Sequence, residues 1–248
     1  MSIGIVGHGM VGSAVSTGFT CDKIISDPKL NTISISDLVH KDPEMIFMCL
    51  PTPMEDKKFN ILNSAIHEIL NCNYRGIIVV KSTVLPSYVV DVKNVVYNPE
   101  FLTRSTAQHD FNNPEIFVLG GDSVAISSVI KFYKKYSLVD LSTCNIHITT
   151  PHQAMFIKYM MNCFFATKVT FMNQMKEVAD TLNIDFSEIG GLLKLHPWIG
   201  SNHVSVPGPD GKPGFGGPCL PKDCTSFSDY YDVDILKKVL ELNLRYRE

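Results

Sequence analysis

Four groups of residues in this sequence have types and spacings that could do chemistry. Gly7-His8-Gly9-Met10-Val11-Gly12 follows a short apolar run, Ile3 to Val6, and opens a helical stretch. In that setting Gly7 permits a tight turn, Gly9 lets the backbone approach a pyrophosphate, and Gly12 lets helix and strand pack closely. The helix start at Met10 and Val11 then offers its amides and its dipole to the phosphates. Asp27 stands at the end of the next strand-like run, 20 residues after Gly7, where its carboxylate can accept from ribose hydroxyls. This arrangement points to a dinucleotide and favours NAD over NADP. A glycine-rich turn without a ligand is the plainer alternative.

The run Gly214-Phe215-Gly216-Gly217-Pro218-Cys219-Leu220-Pro221-Lys222-Asp223 sets a cysteine on a Gly-Pro corner, with a lysine three positions later and an acid four positions later. A nearby cation favours the nucleophilic thiolate, so Cys219 is a candidate nucleophile; a buried structural thiol is the alternative. Cys224 lacks such framing and reads as packing. Lys158 and Asn162, spaced i and i+4, share a helix face otherwise made of Met, Ile and Phe. They could donate to a developing oxyanion. On spacing alone a snorkelling lysine and a satisfied amide is the stronger reading. Lastly, Thr52-Pro53, Lys81-Ser82-Thr83 and Asn98-Pro99-Glu100 each follow an apolar strand-like run. Ligands of open parallel sheets bind outside the carboxyl ends of the strands, so these tips could line one crevice. The eight histidines have no metal-ligand spacing, and no metal is expected.

The elements that must position these residues change character along the chain. The first 150 residues alternate short apolar runs (Ile3–Val6, Lys23–Ser26, 45–50, 76–81, 116–119, 145–149) with helical stretches, which predicts an α/β fold on a parallel sheet. From Pro151 to about Asn183 no Gly interrupts a helical pattern, predicting one helix of roughly 30 residues, about 45 Å long. A helix of that length packs on a second domain or a second copy of the chain. Six of the fourteen prolines fall in residues 197–221 and eight of the sixteen glycines in 190–217, predicting an irregular, functional loop. Val233 to Arg247 reads as a closing amphipathic helix.

Composition narrows the class. A chain of 248 residues with 45% hydrophobic and 19% charged residues is globular, with one large or two modest domains. A net charge of −3 argues against nucleic acid or an anionic membrane as partner. The apolar runs are too short to span a bilayer, and no basic leader precedes the first strand. Seven cysteines, an odd number with several in apolar segments, fit free thiols in a reducing compartment. The expectation is a soluble cytoplasmic protein.

In combination, GHGMVG, Val80-Lys81-Ser82-Thr83-Val84, Asn98-Pro99-Glu100-Phe101-Leu102, Ile157-Lys158-Tyr159-Met160-Met161-Asn162 and GFGGPCLPKD resemble, in order, the UDP-glucose/GDP-mannose dehydrogenase family. The resemblance covers nearly the whole chain. It implies a Rossmann-type NAD-binding domain over 1–150 and a mainly helical domain over 151–248 that dimerises through the 151–183 helix. It implies NAD-dependent oxidation of the C6 alcohol of a nucleotide sugar to a uronate through a Cys219 thiohemiacetal and thioester. Lys158 and Asn162 would stabilise oxyanions, and Asp223 would order water or the lysine. Glu100 would be a general base, and Thr83 would position water and substrate. Gly7, Gly9, Met10, Val11, Gly12, Asp27, Thr52, Pro53, Thr83 and Lys222 would contact the cofactor.

The sequence also departs from the family's pattern. A third, nucleotide-holding domain follows in the family, so the reading is a short form without it. Arg104 stands where an acid is common, and Trp198 where an arginine usually reaches the neighbouring subunit's substrate. The stretch from Ser205 to Pro213 is longer than usual. Two alternatives remain: a β-hydroxyacid-type dehydrogenase without covalent catalysis, and a non-catalytic NAD-binding remnant.

Overall fold

The computed structural model describes residues 1–30, 33–56 and 58–248. Strands β1 (Ser2–Val6), β2 (Asp22–Ser26), β3 (Met45–Met48), β4 (Ile77–Val80), β5 (Val95–Tyr97), β6 (Ile116–Gly120) and β7 (Asn145–Thr149) form one sheet in the order β2-β1-β3-β4-β5-β6-β7. Helices α1 (Met10–Gly18), α2 (Ile35–His40), α3 (Asn60–Asn71), α4 (Ala107–Asn112) and α5 (Ser123–Tyr136) alternate with the strands. β1 pairs in parallel with β2 on one side and β3 on the other, so sheet growth reverses direction between β1 and β3. In an open α/β sheet that reversal opens a crevice at the carboxyl ends of the two strands.

Four central strands are apolar on both faces because both faces are covered. All of Met45, Ile46, Phe47 and Met48 are buried, as are Ile78, Val79 and Val80. Beside them Phe19, Phe47, Phe117 and Tyr133 form an aromatic cluster with ring centroids 4.9–6.1 Å apart. Removing each such ring from water stabilises the fold by about 1.5–3 kcal/mol.

One pairing departs from the expected all-parallel sheet. β6 runs antiparallel to β5 through the single pair Tyr97 and Gly120. A parallel crossover needs a connection that carries the chain back across the sheet. Between Tyr97 and Ile116 the only helix is the six-residue α4, and the chain returns without crossing. The Asn98 side chain extends the contact by donating to the Val118 carbonyl (2.8 Å).

The remaining helices are α6 (Pro151–Thr181), α7 (Phe186–Leu195), α8 (Leu220–Tyr231) and α9 (Asp234–Arg247). The 31 residues of α6 match the expected long helix. The irregular stretch is shorter than expected at both ends: α7 holds Gly190 and Gly191, and Pro221 sits in the first turn of α8, where its missing N–H costs nothing. The chain divides into two compact units, residues 1–158 and 159–248. In the second, Cys163 and Ala166 of α6 pack with Phe215, Cys224, Leu236 and Val239, and Met172 and Ala179 pack with Phe186 and Val204. Among the described residues no helix is long and apolar enough to cross a membrane.

Candidate active site

In the first unit the glycine turn sits at the β1 end of the crevice. Gly7 has φ +87°, and its N–H donates to the Ser26 carbonyl (2.9 Å). A Cβ on Gly7 would stand 2.7 Å from the Cys49 carbonyl oxygen, and one on Gly12 only 2.0 Å from that of Gly7. Both positions need glycine for close packing. Gly9 is different: a Cβ there would meet nothing within 4 Å. Gly9 is also the N-cap of α1 and gives it no side-chain acceptor, and half-buried Met10 and Val11 form the first turn. An open cradle before an uncapped helix N-terminus suits a pyrophosphate.

Asp27 lies beside this turn. Its Oδ2 accepts from the His8 N–H (2.5 Å) and its Oδ1 from the Lys29 N–H (2.8 Å). The His8 amide holds its carboxyl below the usual carboxylate value, so it stands as an ionised acceptor. That is the species a ribose diol requires.

Buried Thr52 and half-buried Pro53 follow β3, and half-buried Thr83 follows β4. β1, β3, β4 and β5 are adjacent and parallel, so the glycine turn, Thr52, Thr83 and Glu100 all come from one edge of the sheet.

Sequence reasoning missed the role of Lys81. Its side chain is 1% exposed and forms an ion pair with Glu100 Oε1. Lys81 Nζ also donates to Asn98 Oδ1 (2.6 Å), which accepts as well from the Tyr133 hydroxyl (3.2 Å). Three rings, Phe111, Phe117 and Tyr133, lie 5.4–5.8 Å from the ammonium. Glu100, expected to be a base, is therefore anchored from within the core. The available signal was register: Val80 lies opposite Tyr97, which sets Lys81 beside Asn98 on the next strand.

Lys158 of α6 is half-buried, its Nζ 5.1 Å from the centre of the Phe101 ring. One turn later, Asn162 lies in the second unit, buried, and donates through Nδ2 to Asp223 Oδ2 (2.6 Å). Asp223, 1% exposed on α8, also forms an ion pair with Lys222 through Oδ1. Asn162, Lys222 and Asp223 are thus one hydrogen-bonded cluster that ties α6 to α8.

Cys219 is the N-cap of α8, exposed, and its carbonyl accepts from the Asp223 N–H (2.9 Å). All seven cysteines are free. Burial pushes the Cys49 thiol far up. A hydrogen bond with Cys163, then burial, does the same to Cys224. Those two are packing groups, as expected for Cys224. Trp198 stands 93% exposed after α7, with its ring 5.6 Å from that of His196. Among the described residues no three His, Cys, Asp or Glu side chains group as metal ligands.

Comparison with known proteins adds an independent line. Residues 22–137 match the NAD binding domain of the UDP-glucose/GDP-mannose dehydrogenase family and residues 152–245 its central domain. NAD is the cofactor of that first domain, and the open cradle at Gly9 with ionised Asp27 fits it. The chain is 29% identical over 222 residues to UDP-glucose 6-dehydrogenase of Rickettsia bellii, covering 82% of this chain and 50% of that protein. It is 30% identical over 205 residues to GDP-mannose 6-dehydrogenase of Pseudomonas syringae pv. tomato, covering 73% and 44%. The chain therefore spans about half the length of these curated relatives.

Among solved structures, a UDP-glucose dehydrogenase from the hyperthermophilic archaeon Pyrobaculum islandicum shares the fold at a TM-score of 0.78 and 23% identity, over 98% of this chain and 68% of that one. A Mycobacterium tuberculosis 3-hydroxyisobutyrate dehydrogenase shares it at 0.74 and 15%, over 99% and 93%. The Rossmann-type α/β architecture is common to both. With two domain models of one family matched in order along most of the sequence, this chain belongs to the UDP-glucose/GDP-mannose dehydrogenase family.

Proposed function

We propose that this protein is an NAD-dependent nucleotide-sugar dehydrogenase that oxidises a C6 alcohol to the carboxylate, in the manner of a UDP-glucose 6-dehydrogenase, with Cys219 as covalent nucleophile. The domains would be an NAD-binding domain over 1–150 and a helical domain over 151–248. The observation that carries the reading is the exposed Cys219 thiol at the start of α8, one turn from the cluster of buried Asn162 and Asp223 with half-buried Lys222.

Bound NAD supplies the hydride acceptor, twice per sugar. The first oxidation leaves an aldehyde. The Cys219 thiolate adds to its carbonyl carbon, forming a C–S bond and a thiohemiacetal oxyanion. Loss of a second hydride gives a thioester, and water cleaves the C–S bond to release the acid and return the thiol. Lys158 and Asn162 would donate to the oxyanions that form in the addition and in the hydrolysis. Asp223 holds the Asn162 amide in one orientation, since it accepts from that amide directly. Glu100 would serve as the base for the hydrolytic water, with Thr83 positioning water and substrate. Gly7, Gly9, Met10, Val11, Gly12, Asp27, Thr52, Pro53 and Lys222 would bind the cofactor.

NADH counted against product over a panel of UDP-, GDP- and unsubstituted sugars tests this reading. Two NADH per acid are expected, and one per product would favour a simple hydroxyacid-type oxidation, whose fold the 3-hydroxyisobutyrate dehydrogenase shares. Cys219→Ser should abolish acid formation, by at least about a thousandfold in kcat. Full acid-forming turnover in that variant would remove Cys219 from the mechanism.

The assembly would be a dimer of two copies through α6. Met160, Phe164, Phe171, Met175 and Val178 of α6, with Leu182 just past its end, recur at spacings of three, four and seven, and all are exposed. Such a row along one long helix suits an isologous contact with the same row on a second copy.

A further inference from the structure

The loop that carries Cys219 is pinned by side-chain amides from two helices that sequence reasoning never connected with it. Asn243 of α9 and Asn173 of α6 are both buried, at 7% and 2% exposure. The Phe215 N–H donates to Asn243 Oδ1 (2.7 Å), and Asn243 Nδ2 donates back to the Phe215 carbonyl (3.0 Å). One side-chain amide thus satisfies both polar groups of one residue, as a neighbouring strand would. The preceding Gly214 N–H donates to Asn173 Oδ1 (3.0 Å), and Asn173 Nδ2 is itself fixed on the Val169 carbonyl (2.8 Å). Arg247 adds a bond from Nη2 to the Gly214 carbonyl (2.8 Å) and an ion pair from Nη1 to Asp210 (2.6 Å).

The glycines of the motif fit this contact. Gly214 has φ +71°, and a Cβ there would lie 2.5 Å from Asn243 Oδ1 and 2.9 Å from the Tyr246 Cβ. A Cβ on Gly216 would lie 2.9–3.1 Å from the Arg247 guanidinium. Meanwhile the Phe215 ring is buried against Cys163, Ala166 and Cys224. Four residues after this anchor comes Cys219.

We propose that Asn243 is a positioning residue for the reaction: it clamps the backbone of Phe215 and so fixes the loop that presents Cys219 at the start of α8. The proposal deepens the function reading above and rests on it for its kinetic part. Asn243 touches no reacting atom; it acts through the Gly214–Phe215 backbone.

The test uses the full chain carrying Asn243→Ala and, separately, Asn243→Asp, which keeps the acceptor for the Phe215 N–H and loses the donor to its carbonyl. Amide hydrogen exchange is read at Gly214 and Phe215, and kcat and KM with NAD and UDP-glucose are measured. In the alanine variant the Phe215 amide should exchange at least about tenfold faster, because it loses its acceptor, whereas the Gly214 N–H keeps Asn173 Oδ1. The amides of α8 and α9 should keep their wild-type rates. The kcat should fall at least about tenfold with the KM for NAD within about twofold, since displacing a reacting group costs turnover rather than cofactor binding. The aspartate variant should retain slow Phe215 exchange and an intermediate kcat. Unchanged loop exchange in the alanine variant overturns the clamp. Faster loop exchange with unchanged kcat, or faster exchange throughout α8 and α9, overturns the positioning role. A wild-type chain that reduces no NAD with any nucleotide sugar refutes the function reading, and the exchange rates then decide the clamp by themselves.

Discussion

A lysine side chain enclosed by protein has only its protein neighbours to replace the water it gave up. Lys81 has a carboxylate, an amide oxygen and three aromatic faces around Nζ, and its side chain is 1% exposed. Removing one partner of a buried ion pair is worse than removing both, because the survivor keeps its desolvation cost. Lys81→Met should therefore destabilise the first unit by about 3–5 kcal/mol, and Lys81→Met/Glu100→Gln should recover most of the loss. Urea unfolding midpoints measure both. A single-variant loss under about 1 kcal/mol would mean that water reaches the pair. The same geometry gives Glu100 a fixed orientation at the tip of β5, which is the feature a proposed base would need.

At the scale of elements, the helices show how much of the fold is set locally. Asp122 caps α5: its Oδ1 accepts from the N–H groups of Val124 (3.1 Å) and Ala125 (3.0 Å). Lys134 and Lys135 stand in the last turn, where cations suit the dipole. Asp122→Ala should cost about 1 kcal/mol. The pH dependence has a definite sign. The Ala125 amide, foremost, holds the Asp122 carboxyl below its ordinary 3.8. A group depressed on folding stabilises fully above its unfolded value and loses that contribution as pH falls through its folded one. Thermal melts of wild type and Asp122→Ala should therefore differ at neutral pH and converge once the pH has fallen through the lowered value of the Asp122 carboxyl. A difference that persists there would show that the carboxylate charge is not what caps the helix.

At the scale of the whole molecule, an exposed apolar row runs along α6. Phe164 is 62% exposed, Phe171 56% and Leu182 61%. Covering such a row is the physical motive for the proposed dimer, and charges set into it should prevent association. Phe164→Asp/Phe171→Asp should sediment as a monomer and keep its helical circular dichroism, whereas wild type at micromolar concentration should sediment as a dimer. A monomeric wild type removes α6 as the dimer contact.

The sequence by itself determined the alternating α/β region, the long helix of roughly 30 residues and the glycine turn with its acid. Each of these is written in local periodicity, in a steric need for glycine, or in short spacing, so neighbouring residues suffice to read it. Only the tertiary structure decided that β6 turns antiparallel and that Lys81 is a buried anchor for Glu100. It alone brought Asn162 to Asp223 across 61 positions, and Asn243 to Phe215 across 28. Those outcomes depend on which distant backbone and side-chain groups meet once the core closes. A lysine after an apolar run or an asparagine on an amphipathic helix looks like a surface residue until packing replaces its water with protein partners.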